Sequence, residues 1–393
     1  MAGVGPGRRS AAAGADAPRH GGDRAQGGAM SPPSGSGLGG DWWDASPRPG
    51  RGDTDLHRTS RGEPIDTLRE ETIAYRDVYG RRRTMRARVT EDDPAADPFY
   101  RTRLVVDADR LVEYVQKRVH AAGRRAPANS AATSRAPDGI DAVDNEIQMG
   151  MHLVDAFGEE NYPRELSHLV GYYPDDADRE PFVLLAERGR PVERFAGRLL
   201  LDQVEQFPTS LLRALDLLES AGVVHRWLTT RTVQFDDRHV QITDFRHAVL
   251  VGERCGPAPD PRWAAPEAVY GDGPATTKED VYSVGRVLNE VIADRSGRAS
   301  TRRGGAERLL GSDGPLGRMV DHDPDLRPPA AEVLAALGRD VDRAAGTRRA
   351  RSGGDARFVE GLRSFDAIVR RRGTGDDEPT PRPTTGGADR GRR

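Results

Sequence analysis

The chain has 393 residues, 36% of them hydrophobic, and a net charge of −3 from 59 basic and 62 acidic side chains. That balance excludes a global field able to recruit nucleic acid or an anionic membrane, and no apolar run approaches the roughly 18 residues a membrane helix needs. A single cysteine, Cys255, excludes an internal disulfide and fits a reducing, cytoplasmic setting. Arg8-Arg9-Ser10 lacks the apolar stretch that would make it an export signal.

Residues 1–66 are dominated by Gly, Ala, Pro, Ser and Arg without a period of 2 or 3.6, and read as a disordered tail. Within it, Gly35-Ser36-Gly37-Leu38-Gly39-Gly40 satisfies G-x-G-x-x-G but has no strand before it and no helix after it, so it does not read as a phosphate loop. Arg51-Gly52-Asp53 and Trp42-Trp43 read as chance groupings. From about Thr72 a hairpin is expected, turning near Gly80, followed by strands over 100–106 and 111–119. Residues 121–139 read as a flexible insertion. Val143, Ile147, Met151 and Val154 predict a helix over 141–157, and strands follow near 167–172 and 181–186, an inventory read as five strands and one helix.

Beyond Gly189 the pattern turns helical. Thr209 is expected to cap a helix carrying Leu211, Leu212, Leu215 and Leu218, stopped by Gly222. Asp280 begins another, Ala330 a third, and Lys278 reads as a solvated residue ahead of its helix. From about 343 the chain is polar again. Phe358, Leu362, Phe365, Ile368 and Val369 are spaced as an amphipathic helix over 355–371, which either packs back on the domain or enters a partner's groove.

The stretch from Val223 to His247 holds His225-Arg226-Trp227-Leu228, Thr229, Thr232 and Asp244-Phe245-Arg246. With Ala265-Pro266-Glu267, Asp280-Val-Tyr-Ser-Val-Gly285 and Asp323-Pro324-Asp-Leu-Arg327-Pro328 in the same order, it resembles the protein kinases over roughly 70–342. The arginine bias, which leaves only Lys117 and Lys278 as lysines, fits a GC-rich, actinobacterial genome. The form resembled is thus the bacterial eukaryotic-like kinase. The resemblance implies an α+β fold of two lobes: a small β-rich lobe at 67–187 and a larger helical lobe at 188–342, with a mostly disordered tail at 343–393. It also implies an ion pair between Glu267 and Arg327.

Tyr114-Val115-Gln116-Lys117 resembles V-A-I-K and Asn145-Glu146-Ile147 the helix glutamate. Lys117, Glu146 and Asp244 are therefore the residues expected to bind ATP, with Asp244 the metal ligand. In an arginine-dominated chain, a lysine at 117 suggests that this position needs a compact charge. The loop departs from the family at each point that transfer needs: Trp227 stands in place of the aspartate base, Thr232 in place of the metal-binding asparagine, Arg246 in place of the D-F-G glycine. No glycine-rich loop precedes the strand at Tyr100, and loss of the asparagine argues against a two-magnesium arrangement. His225 reads as a buttress of the loop, Trp227 as filling the space of a substrate hydroxyl. Between Arg246 and Ala265 there is no Ser, Thr or Tyr and there are three prolines, so the segment cannot be switched by phosphorylation and follows a stiff path.

The leading expectation is a pseudokinase: a catalytically inactive kinase-like signalling scaffold or allosteric partner of other proteins, with ATP binding retained. The enzyme alternative is a phosphotransferase or nucleotidyltransferase using Lys117, Glu146 and Asp244. A third reading gives the function to the tails.

Overall fold

The computed structural model describes residues 58–93, 97, 99–119, 139–175, 180–271, 273–292, 314, 316–339 and 356–374. Most of the N-terminal tail, with the groupings at 8–10, 35–40, 42–43 and 51–53, and nearly all of the insertion lie outside these residues. The described structure opens at Arg58, inside the segment read as tail, where Thr59 and Ile65 are buried.

Alternation sets the first half. β1 (Arg69–Arg76) and β2 (Arg82–Val89) form the expected hairpin, and β3 (Tyr100–Asp107) and β4 (Glu113–Val119) a second one. The helix α1 (Gly139–Phe157) follows, then β5 (His168–Tyr172) and β6 (Phe182–Ala186). These strands pair antiparallel in the order β1-β2-β3-β4-β6-β5, and β5 returns to β1 through the single pair Arg76↔Tyr172. The sheet has six strands, the two arms of the first hairpin and the four that follow, so the inventory of five is one short. Val143, Ile147 and Leu153 are wholly buried on α1, which packs against β4 and β5.

In the second half, β7 (Arg190–Pro191) precedes α2 (Leu201–Ala221), and β8 (Val223–Val224), β9 (Val233–Phe235), β10 (Val240–Ile242) and β11 (Val249–Leu250) make short pairings around the His225 loop. Further on come α3 (Pro266–Tyr270), α4 (Thr277–Ile292), α5 (Ala330–Ala336) and α6 (Ala356–Thr374). The helix expected to start at Thr209 starts eight residues earlier and runs through Pro208. An interior proline costs about 3 kcal/mol. Burial of Phe207, edge-on to Phe235 at 5.4 Å, offsets most of that, and the Thr209 hydroxyl donates to Glu205 O instead of capping. No helix among the described residues is long and apolar enough to cross a membrane.

Two polar anchors, built on the buried Asp280 and the buried Arg327, fix the second half. The carboxylate of Asp280 on α4 accepts from the backbone N–H groups of His225 (2.5 Å) and Arg226 (2.9 Å). That holds Arg226 at φ +63, a left-handed conformation costing a non-glycine residue about 1–2 kcal/mol. Arg327 is buried and pairs with Glu267 through two bonds of 2.5 and 2.9 Å, so the expected ion pair forms. Lys278 is not a solvated residue: it lies on α4 and donates to Arg327 O. Burying Arg327 demands that its neighbours' acceptors be gathered around it, and the lysine caps the carbonyl left over.

The segment after Arg246 is held by backbone bonds to its surroundings. Val249 pairs with Val224, Gly252 N–H donates to Ala275 O (2.9 Å), and Ala258 N–H donates to Ala268 O (2.9 Å). Glu267→Ala leaves Arg327 buried against carbonyls alone, and the expected loss is about 3 kcal/mol in urea unfolding. A loss below about 1 kcal/mol would mean that the pair is dispensable.

Candidate functional site

The cleft is built where β4, α1, the end of β6 and the turn after β10 meet. Lys117 on β4 lies on the same face of the strand as the buried Val119, two residues on, and its Nζ lies 2.7 Å from Glu146 Oε1 and 3.1 Å from Glu187 Oε1. Burial opposes the ammonium charge, but the carboxylates of Glu146, Glu187 and Asp244 outweigh it and raise the Lys117 pKa. Burial pushes Glu146 upward, Asp244 and Glu187 add to that rise, and Lys117 opposes it. The three residues expected at a nucleotide site are thus brought together. Glu187, just past β6, is a fourth that the motifs do not signal.

The turn Asp244-Phe245-Arg246 holds the second ion pair. Asp244 takes φ +70, so its carboxylate and the Arg246 side chain face each other. Arg246 Nε donates to Asp244 Oδ1 (2.6 Å) and Nη2 to Oδ2 (2.5 Å), while Nη1 and Nη2 donate to the two oxygens of Asp97 at 2.9 and 2.6 Å. Burial disfavours the Asp244 charge, yet Arg246 and Lys117 together hold its pKa below the ordinary carboxylate range. The guanidinium lies over aromatic rings: 4.2 Å from the Tyr100 centroid, 4.8 Å from Trp227 and 5.6 Å from Phe99. A planar, weakly hydrated cation suits such a cage and a point charge does not.

Trp227 is therefore half of a pair with Arg246. It also meets His247 edge-on at 5.1 Å. His225 is fully buried, packs edge-on to Phe245 at 5.0 Å, and its Nε2 is 3.0 Å from Thr243 O. Burial lowers its pKa to about 4, which fits the buttress role. The Thr232 hydroxyl donates to Trp227 O (2.8 Å) and accepts from Thr229 N–H (2.9 Å), so it serves the loop. Asp97 lies between β2 and β3, ahead of Tyr100, where a glycine-rich loop is lacking. The clue to it in the sequence is the set of acidic residues at 91–93 and 97, of which Asp97 meets Arg246 while Asp92 pairs with Arg118 and Asp93 with Arg61.

This donor set does not fit a divalent ion as arranged. Both Asp244 oxygens accept from Arg246, Thr232 is spent on backbone, and among the described residues no group of three or more His, Cys, Asp or Glu is placed to hold a metal. Removing the arginine has a signed consequence. Arg246→Met is expected to cost about 3 kcal/mol at pH 7, because two carboxylates lose their partner. In the wild type the depressed Asp244 contributes stability above about pH 4 that is lost as pH falls. In the variant an unpaired buried carboxylate prefers its proton, so the gap between the two proteins should narrow from pH 7 to pH 4 in denaturant titrations. A gap independent of pH would exclude the ion pair as its source.

Residues 166–301, which contain the His225 loop, the Asp244 turn and α4, match the family model described as protein tyrosine and serine/threonine kinase. The chain is 36% identical over 104 residues to guanylate cyclase D of Mus musculus, covering 25% of this chain and 9% of that protein. It is 36% identical over 87 residues to the putative mitogen-activated protein kinase 14C of Drosophila melanogaster, covering 22% and 24%. With CBL-interacting serine/threonine-protein kinase 15 of Arabidopsis thaliana the figures are 31% over 107 residues, 25% of each. The chain thus spans a quarter or less of the length of these relatives. The shared segment and the convergence of Lys117, Glu146 and Asp244 together support a protein-kinase-like chain.

Proposed function

We propose that this protein is a pseudokinase, a kinase-like domain without phosphoryl transfer that works as a signalling scaffold or allosteric partner of other proteins. The strand-rich part ending at Ala186 and the helical part beginning at Leu201 correspond in this reading to the small and large lobes. The observation that carries it is Arg246 seated between Asp244 and Asp97 on the face of Trp227. Phosphoryl transfer depends on positioning and on neutralising charge around the transferred group. Here the side chain that would hold the ion is already neutralised from within, and the base position is an indole.

The charge balance supports the same reading. Two cations, Lys117 and Arg246, face four carboxylates, Glu146, Glu187, Asp244 and Asp97. A polyphosphate entering this arrangement meets surplus negative charge, and each like-charge pair about 4 Å apart costs about 4 kcal/mol at an effective dielectric of 20. Nucleotide binding therefore requires Glu187 to leave Lys117 and Arg246 to leave Asp244. The intact Lys117–Glu146 pair, at 2.7 Å, favours the second reading, a transferase of unorthodox chemistry.

Two measurements separate the readings. Purified protein incubated with labelled ATP and candidate acceptors is expected to yield no labelled product; turnover abolished by Asp244→Ala would establish the transferase instead. In thermal shift, millimolar ATP with magnesium is expected to leave the melting temperature unchanged, since only a ligand bound to the folded state raises it. A rise that Lys117→Ala removes would restore nucleotide binding to the cleft.

A further inference from the structure

The helix α6 is seated on the strand-rich part, and the seat is built at backbone level. Gly361 lies so close to the β1–β2 turn that a Cβ there would be 2.1 Å from Val78 O and 2.9 Å from Tyr79 Cα. Reciprocally, a Cβ on Gly80, at φ +75, would be 2.8 Å from Ser364 Cβ. A mid-helix glycine sacrifices about 1 kcal/mol against alanine, and here it is what lets the helix reach the turn. Phe358, Phe365 and Ile368 are buried, with Phe365 edge-on to Tyr172 at 5.2 Å.

The end of α6 reaches α1. Arg372 Nη1 donates to Asp144 Oδ2 (2.9 Å), Nη2 donates to the Tyr173 hydroxyl, and that hydroxyl donates to Asp144 Oδ1 (2.8 Å). Asp144 is the first of three consecutive α1 residues whose side chains go to three separate elements. The next, Asn145, offers its amide N–H groups to the carbonyls of Phe245 (3.2 Å), Arg246 (3.0 Å) and Ala248 (2.9 Å). The third, Glu146, holds Lys117. Three consecutive helical residues cannot move independently, because a helix rotates and translates as a unit.

We propose that α6 is a positioning strap for the cleft: by holding Asp144 through Arg372 it sets the placement of α1, and through Asn145 and Glu146 that of the Asp244–Ala248 turn and of Lys117. Arg372, Asp144 and Asn145 are positioning residues in this scheme. The scheme does not depend on whether the cleft transfers phosphate, and its test reads no activity.

The test is hydrogen exchange by mass spectrometry on full-length Arg372→Gln, Arg372→Lys and Gly361→Val. Arg372→Gln removes the charge that grips Asp144, and Gly361→Val drives a side chain into Val78 O. Both are expected to raise exchange about tenfold at residues 245–251, beyond any rise in α6 itself, with Arg372→Lys restoring part of the protection. Exchange raised in α6 and at 78–80 but unchanged at 245–251 would reduce α6 to a cover for the sheet and overturn the proposal, as would wild-type exchange throughout in Arg372→Gln. Should Gly361→Val fail to fold, the two arginine variants decide alone.

Discussion

Arg246 donates to both oxygens of Asp244 and both of Asp97, and the cleft is arranged around keeping those charges together. Buried carboxylates are tolerated only when paired and hydrogen-bonded. A protein can bring the balancing cation in as an ion from solvent or supply it from its own chain. Here the chain supplies it, two residues from the carboxylate it neutralises. A cation delivered by the chain itself carries no mass-action dependence on a dissolved ion.

The replacements at 227 and 246 then become one structural unit. An arginine in place of glycine needs acceptors and a flat surface. Asp97 and Asp244 are the acceptors, and Trp227 with Tyr100 and Phe99 is the surface. An aspartate at 227 would add a further carboxylate to a site where anions already outnumber cations. The scaffold beneath is conventional in its physics: Asp280 grips two backbone N–H groups of the His225 loop, and the Glu267–Arg327 pair ties the following segment to its support. The residues at which the chain departs from the kinase motif, Trp227, Thr232 and Arg246, are thus different ones from those that hold the frame, Asp280, Glu267 and Arg327.

Much of this could be read in the linear order of residues. Up to Ala186 the pattern is mainly that of strands, broken by the 3.6 period of α1, and the longer helices α2 and α4 follow beyond it. Lys117, Glu146 and Asp244 could be picked out because each sits in a short motif on a recognisable element. Glu187 and Asn145 carry no such mark: one follows a strand end, and the other differs from its neighbour only in where the helix aims it. The start of α2 lies eight residues ahead of Thr209 because burial of Phe207 overrides Pro208, a strong local stop. The placement of Lys278 is not legible locally, because exposure is decided by what lies across from a residue, here a carbonyl 49 positions away.

What the sequence determined by itself was chemical inventory: which groups are present, that Trp227 and Thr232 stand where the kinase motif has an aspartate and an asparagine, and that residues 247–264 hold no Ser, Thr or Tyr. The spacing of apolar residues also determined that 355–371 forms an amphipathic helix. Only the tertiary structure decided where that helix goes, that its Arg372 meets Asp144, and that Arg246 spans Asp244 and an aspartate 149 residues earlier. The physical reason is range. Local propensity and periodicity act over a few residues, whereas pairing of charges and seating of a helix depend on surfaces that exist only once the sheet and α1 have packed.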